Sequence, residues 1–378
     1  MRRAAVLAIT TRVVVLLVGY AAVHSLGYTP QFRLSENEVW NLPARFDAGW
    51  YLGIARQGYN WNPALQERQQ NIVFFPAFPA AMRVAGEVIT IPARLLDNPT
   101  LFGNGNTRVV WGGALVAMLS FIAALVLLGK LGSDEAAARR AQWLLAAYPF
   151  AFFFSAPYSE GLFLLSVVAA FLAQQRGRPG VAFAAGMLAG LTRSNGWALG
   201  IGMIAGAFTT EPRANRRAAL LAALGPFCGT AAFSLYIWRL TGHPLAWSAA
   251  QRAWGRRFEP FGFLTHRLDA MASHGFLGYL RLQPADAVTS VCLLGVFWLL
   301  LLALRDRDIR GSVFALCYLV PAVLIDIPSV GRMTSVLFPA FLAAGRRLND
   351  RQTMAIAALF MVVQLALAAS FFTWHAPF

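Results

Sequence analysis

The segment RFDAGWYLGIARQGY, residues 45–59, sets one acid among bulky aromatics in an otherwise oily chain. Asp47 follows Phe46 and precedes Trp50 and Tyr51, with Ala48 rather than a second acid beside it. The spacing predicts a helix over 48–57, closed by Gly58. A structural role for Asp47 is to cap that helix, its carboxylate accepting from the amides of the first turn. A chemical role is general base catalysis. On such a helix Asp47, Tyr51 and Ile54 share one face, with Trp50 beside them. Aromatics of this kind sit at a membrane–water interface, and partial desolvation there makes a carboxylate a stronger base.

Further polar residues stand where apolar runs break. FFPAFP (74–79) carries two prolines in six residues, which argues against a regular helix start and for packing or a bend. FSAPYSEGLF (154–163) places Tyr158, Ser159 and Glu160 after Pro157. Glu160 suits the first turn of the next helix, where the dipole favours an acid; the same hydroxyl-rich cluster suits sugar hydroxyls. LTRSNGW (191–197) puts Arg193 and Asn195 in a turn, either as an ordinary hairpin with a snorkelling arginine or as part of a site. TGHPLAWSAAQRAWGR (241–256) offers His243, Trp247 and Gln251 four apart, on one face if helical; a lone histidine is more often structural than a ligand. IDIPSVGRMTSVLFPAFL (325–342) sets Asp326 and Arg332 about a Pro-Ser-Val-Gly turn, with Arg332 a candidate contact for an anion.

What must position these residues is a membrane bundle. The chain has 378 residues, 58% hydrophobic and 13% charged, half the charged share of soluble domains. Apolar runs predict spans near 8–26, 108–129, 139–155, 158–175, 180–193, 195–210, 217–240, 287–304, 311–326, 331–346 and 353–373. The expected class is therefore an all-α polytopic membrane protein of about eleven transmembrane helices, one domain over residues 1–378. The basic start with a long apolar run reads as an uncleaved first span rather than a signal peptide. Arginine-rich short loops at 129–140, 176–179, 211–217, 305–310 and 345–351 fit a cytoplasmic side. That leaves 27–107 and 241–286 as outer loops, together with the turns that hold the unusual polar residues. Residues 71–92 are apolar enough to enter the membrane, but Arg83 and Glu87 are costly at its centre, so a re-entrant or interfacial helix is expected.

The net charge of +15 rests on arginine, with Lys130 the lone lysine. It fits anionic lipids or anionic substrates rather than nucleic acid, because the arginines are scattered between apolar runs. In the 241–286 loop, Arg252, Arg256, Arg257, Arg267 and Arg281 either lie on anionic lipid or hold a phosphate-bearing ligand. Cys228, Cys292 and Cys317 lack paired spacing, so neither a disulfide nor a metal site is inferred.

Six segments together resemble the PIG-V family, the GPI mannosyltransferase 2 group, and especially its bacterial members. They are RFDAGWYLGIARQGY (45–59), FFPAFP (74–79), SAPYSEGLF (155–163), TRSNG (192–196), HPLAWSAAQ (243–251) and SVGRMTSVLFPAFL (329–342), in the family's order and across nearly the whole chain. Phe46 departs from the family's usual Trp before the acid. The resemblance implies a GT-C-type fold in the plasma or inner membrane, with its site on the exterior or periplasmic face. It implies a polyprenyl-phosphate-linked mannose donor, a lipid or glycan acceptor, and Asp47 as catalytic base. A membrane partner subunit is known for some relatives. Protein O-mannosyltransferases of the wider class favour an Asp-Glu pair in this loop; Ala48 argues against that branch.

Elementary chemistry agrees. Glycoside hydrolysis commonly takes two carboxylates, because a poor leaving group must be protonated. A lipid phosphate leaves as a stable anion, so one base for the acceptor hydroxyl suffices for an inverting displacement, with Arg332 and Arg193 as phosphate contacts. Trp50, Tyr51, Tyr158, Ser159, Glu160, Asn195, His243, Trp247 and Gln251 are the expected substrate neighbours. The scheme needs no cofactor or metal and leaves room for a divalent cation between Glu160 and Asp47. Two other classes compete: a flippase for lipid-linked sugars, which predicts internal repeats and midplane polar groups, and a non-catalytic scaffold.

Overall fold

Uniformly apolar runs carry no helical phase, but Pro, Gly and cap residues mark where each helix starts and stops. The computed structural model describes residues 1–28, 30–132, 134–209, 216–325 and 329–375. Asp326 and most of the 211–217 loop lie outside them. The described residues form eighteen α-helices and no strand: α1 (Arg2–Leu26), α2 (Glu38–Asn41), α3 (Ala48–Gln57), α4 (Ala77–Leu95), α5 (Gly105–Leu128), α6 (Glu135–Ala147), α7 (Glu160–Gln175), α8 (Pro179–Thr192), α9 (Ala198–Thr209), α10 (Arg216–Ala222), α11 (Gly225–Thr241), α12 (Ala246–Ala249), α13 (Gly262–Leu282), α14 (Pro284–Arg305), α15 (Ile309–Leu324), α16 (Val330–Thr334), α17 (Phe338–Arg347) and α18 (Asp350–Phe372). Short 3-10 turns join several of them, notably Pro149–Ser155, Ser194–Trp197 and Ala250–Trp254.

Among the described residues the expected spans overlap helices, yet several are broken. Five helices among the described residues are long and apolar enough to cross a membrane, and six if one bent pair counts as a single span. That pair is the turn Pro149–Ser155 with α7, bent by 100°. The run at 139–155 is therefore α6 followed by a buried 3-10 segment, PFAFFFS, and the run at 331–346 divides into α16 and α17. These breaks put irregular backbone inside the bundle, which membrane proteins accept only where protein satisfies the freed polar groups. Arg12 does so for the break after α6. Its guanidinium donates to the carbonyls of Ala151 and of Ala146 (3.0 Å) and to Gln364 Oε1 (2.8 Å). Gln364 in turn donates to Ala146 and Tyr148. The Arg12 guanidinium also lies over the Phe121 ring at 5.1 Å.

Within the 71–92 segment a 3-10 turn, Asn71–Val73, precedes α4, which is not among the helices apolar enough to cross alone. The FFPAFP prolines do not prevent this start. Pro76 precedes the first residue and Pro79 sits in the first turn, where amides lack intrahelical partners anyway. Helix α4 lies against α5 through glycine. A Cβ at Gly112 would stand 2.5 Å from the Gly86 amide nitrogen, so only glycine permits this approach.

Candidate active site

The chain enters the site through residues 45–47, held from three sides. Arg45 is fully buried and donates through Nε to the Phe372 carbonyl (2.7 Å) and through Nη1 to Asn41 (2.8 Å). Its guanidinium also faces the Tyr28 and Trp374 rings. Phe46 adopts a left-handed backbone at φ 45° and packs between Phe371 and Trp374. Such a conformation costs a non-glycine residue about 1–3 kcal/mol, and it persists here because packing over-determines it. The Asp47 amide then donates to the Tyr158 hydroxyl at 3.1 Å.

Helix α3 has the expected bounds, and Gly58 closes it at φ 82° with its amide on Ile54. The expected cap by the Asp47 side chain is absent, because Asp47 itself has helical φ and ψ and its carboxylate points elsewhere. It meets Arg332, whose Nη1 lies 3.0 Å from Oδ2. Asp47 Oδ1 accepts no hydrogen bond among the described residues, and Asp47 lines a cleft.

That cleft, about 200 Å³, joins residues far apart in sequence. Its floor is a charge chain. Arg332 contacts Asp47 and, through Nε at 3.0 Å, Glu160 Oε1; Arg193 contacts the same oxygen at 2.5 Å. Glu160 is 1% exposed, whereas Asp47 keeps 22% of its side chain open. The Arg193 guanidinium also donates to Ser159 Oγ, which accepts from the Tyr51 hydroxyl, each at 3.3 Å. Burial and the nearby Glu160 push the Tyr51 hydroxyl up to about 12, so it remains a donor. The Arg332 guanidinium faces the Phe153 and Tyr158 rings at 5.4 and 5.1 Å. The two carboxylates do converge, but the Arg332 guanidinium fills the place between them, which does not fit a shared cation. No group of three His, Cys, Asp or Glu among the described residues is placed to hold a metal ion.

The second long loop supplies the roof. Trp254 meets Trp50 and Phe74 at 5.4 Å each, so Trp50 belongs to the aromatic rim. Arg256 follows Gly255 and lines the cleft half-buried, its Nη1 donating to Gln251 Oε1. No carboxylate lies within salt-bridge distance of Arg256 among the described residues. Burial, and then the neighbouring Arg332, push its guanidinium down to about 10. Sequence alone leaves Arg256 indistinguishable from Arg252 and Arg257; the structure selects it by position.

Other expected neighbours lie apart. His243 is exposed and precedes α12, a helix of only 4 residues, so His243, Trp247 and Gln251 do not form one helical face. Trp247 donates to Ser234 Oγ (2.9 Å) and packs on Phe75, joining α11 to the 74–79 segment. The Asn195 amide donates to the Tyr318 carbonyl at 3.2 Å and ties the turn after α8 to α15. Helix α13, kinked at Gly275, exposes Leu264, Leu268, Phe276 and Leu277.

Comparison with known proteins agrees with this architecture. Residues 30–209 match the family described as Mannosyltransferase (PIG-V), a stretch that includes Asp47, Glu160 and Arg193. No curated protein matches the sequence at a significant level. Among solved structures, an Archaeoglobus fulgidus oligosaccharyltransferase tethered to an acceptor peptide superposes with a TM-score of 0.51 at 13% identity, covering 98% of this chain and 55% of that one. Its apo form gives 0.49 at 13% identity, covering 98% and 56%. The chain thus spans about half the length of the oligosaccharyltransferase it matches, and the likeness is one of fold. Residues 30–209, which hold Asp47, Glu160 and Arg193, are thus similar to the PIG-V mannosyltransferase family, and the chain, with five helices among the described residues long and apolar enough to cross a membrane, shares its fold with the oligosaccharyltransferase.

Proposed function

We propose that the cleft transfers mannose from a polyprenyl-phosphate-mannose donor to a hydroxyl of a lipid or glycan acceptor. The acceptor oxygen attacks the anomeric carbon from the face opposite the phosphate, and the bond from that carbon to the phosphate oxygen breaks. The acceptor proton passes to Asp47 and the polyprenyl phosphate leaves with the bonding pair, inverting the anomeric centre. Asp47 is suited to the base role because it is the more open of the two carboxylates and its Oδ1 accepts no hydrogen bond among the described residues. Glu160, enclosed between two arginines, acts by positioning them.

The leaving phosphate meets arginine. Arg193 and Arg332 are already shared with carboxylates, so the contact shifts toward Arg256, the cleft cation without a carboxylate partner among the described residues. An anion there replaces no existing ion pair and relieves the mutual repulsion of Arg256 and Arg332. Tyr51, Ser159 and the Trp50–Phe74–Trp254 rim then face the sugar. Asp47, Arg193, Arg256 and Arg332 line one cleft beside aromatic side chains, an arrangement suited to group transfer.

The carrying observation is Asp47 and Arg256 on the walls of one cleft. The test supplies purified protein with polyprenyl-phosphate-mannose and candidate acceptor lipids, beside Asp47→Asn. Transfer by the natural sequence and its loss in the variant are expected. Full activity of Asp47→Asn removes Asp47 as base. A protein inert with every donor, yet moving lipid-linked sugar across vesicles, would make it a transporter.

A further inference from the structure

A second cavity lies at the opposite end of the bundle. Helix α18 fixes the geometry: its Phe372 end receives Arg45 beside the cleft, whereas its Asp350 end receives Arg139 (3.3 Å) and Arg140 (2.6 Å). At that second end a groove of about 730 Å³ opens among α1, α6 and α18, lined by Arg2, Arg3, Leu7, Val14, Trp143 and Met361. Its shaft is apolar and its mouth basic. Arg2 and Arg3 are exposed and carry no ion-pair partner among the described residues, while Arg139 shares Asp350 with Arg140.

The groove has the depth of one lipid leaflet. Val14 lies twelve residues beyond Arg2 on α1, about 18 Å along a helix axis. Half of a hydrocarbon core measures roughly 15 Å. An acyl chain therefore fits between the basic mouth and Met361, and its headgroup falls beside Arg2 and Arg3. A positive mouth selects a negative headgroup, and basic pockets between membrane helices hold such lipids.

We infer that this groove is a binding site for one anionic glycerophospholipid, its phosphate on Arg2 and Arg3 and an acyl chain along α1, α6 and α18. The site is separate from the cleft and independent of the proposed transfer.

Delipidated protein in mild detergent is offered phosphatidylglycerol, phosphatidylcholine or glycerol 1-phosphate, and bound lipid is counted by native mass spectrometry alongside Tm. Retention of one phosphatidylglycerol per chain is expected, with about tenfold or greater preference over phosphatidylcholine. The double variant Arg2→Gln, Arg3→Gln abolishes the preference. Thr10→Trp, which fills the groove from an exposed position and leaves both arginines intact, expels the lipid. Equal retention of the two lipids overturns the proposal, as does unchanged retention in either variant. Equal protection by glycerol 1-phosphate also overturns it, since that would show a site for a free anion.

Discussion

Arg332 and Arg12 are both buried in the same apolar bundle and are held by opposite kinds of partner. Arg332 sits between two carboxylates, 3.0 Å from each, on the wall of an open cleft. Arg12 is 1% exposed and, among the described residues, bonds to backbone carbonyls and an amide oxygen. Carbonyls at a helix break need a donor wherever no water reaches, so Arg12 answers a structural requirement. A cluster of charges that mixes three arginines with two acids, one of them partly open, is costly to keep for structure alone. Burial of an arginine thus says little about its role; the chemistry of its acceptors says much.

This contrast is open to attack at several points. The largest effect is expected at the cleft: Asp47→Asn lowers the transfer rate about 10²- to 10⁴-fold while Tm moves little, measured with lipid-linked mannose on folded protein. Next is Arg332→Ala, which leaves Glu160 with Arg193 alone and costs about 3–5 kcal/mol of stability together with activity. Adding Glu160→Gln returns much of that stability, read as Tm, without returning turnover. Arg12→Met deprives buried carbonyls of their donor, at about 1–3 kcal/mol for each group left unpaired. Donor KM of the folded fraction stays unchanged. A raised KM with normal Tm in that variant would erase the distinction between the two arginines.

Smaller effects refine it. Arg256→Ala raises donor KM about tenfold and leaves Tm nearly unchanged, since no carboxylate loses a partner. The weakest case lies among surface charges. A hydrogen bond from Arg347, with its charge and that of Arg346, holds the Asp306 carboxyl below the usual range. A depressed carboxylate stabilises above its unfolded pKa and loses that contribution as pH falls through the folded one. Asp306→Asn therefore lowers Tm slightly at neutral pH, and the difference from the natural sequence vanishes in strong acid.

Much of α3 was legible, because glycine and acid punctuate it, and its bounds follow from residues 47 and 58. The six polar segments were legible as places where apolar runs break. Their partnerships were not: Arg332 and Asp47 lie 285 residues apart, and nothing local to either names the other. The breaks after α6 and α16 were also hidden. PFAFFFS and SVLFPAFL are as apolar as any helix, and hydropathy alone has no register in which a break could show. Arg256 was one of five loop arginines, told apart only by the cavity it lines. Arg12 passed within a predicted span because a single charge barely lowers the mean of so oily a run.

The Arg45 bond to Phe372 carries a consequence for biogenesis. Its donor and acceptor are separated by 327 residues, and Phe46 and Asp47 take their direction from the same α18 terminus. At about 5–20 residues per second, a ribosome needs on the order of half a minute between making the two. Until α18 enters the membrane, Arg45 Nε and the Phe46 ring lack these partners, and the turn keeps its contacts to Asn41, Tyr158 and Arg332. The Asp47 segment therefore reaches its full set of contacts only when translation has carried the chain through α18.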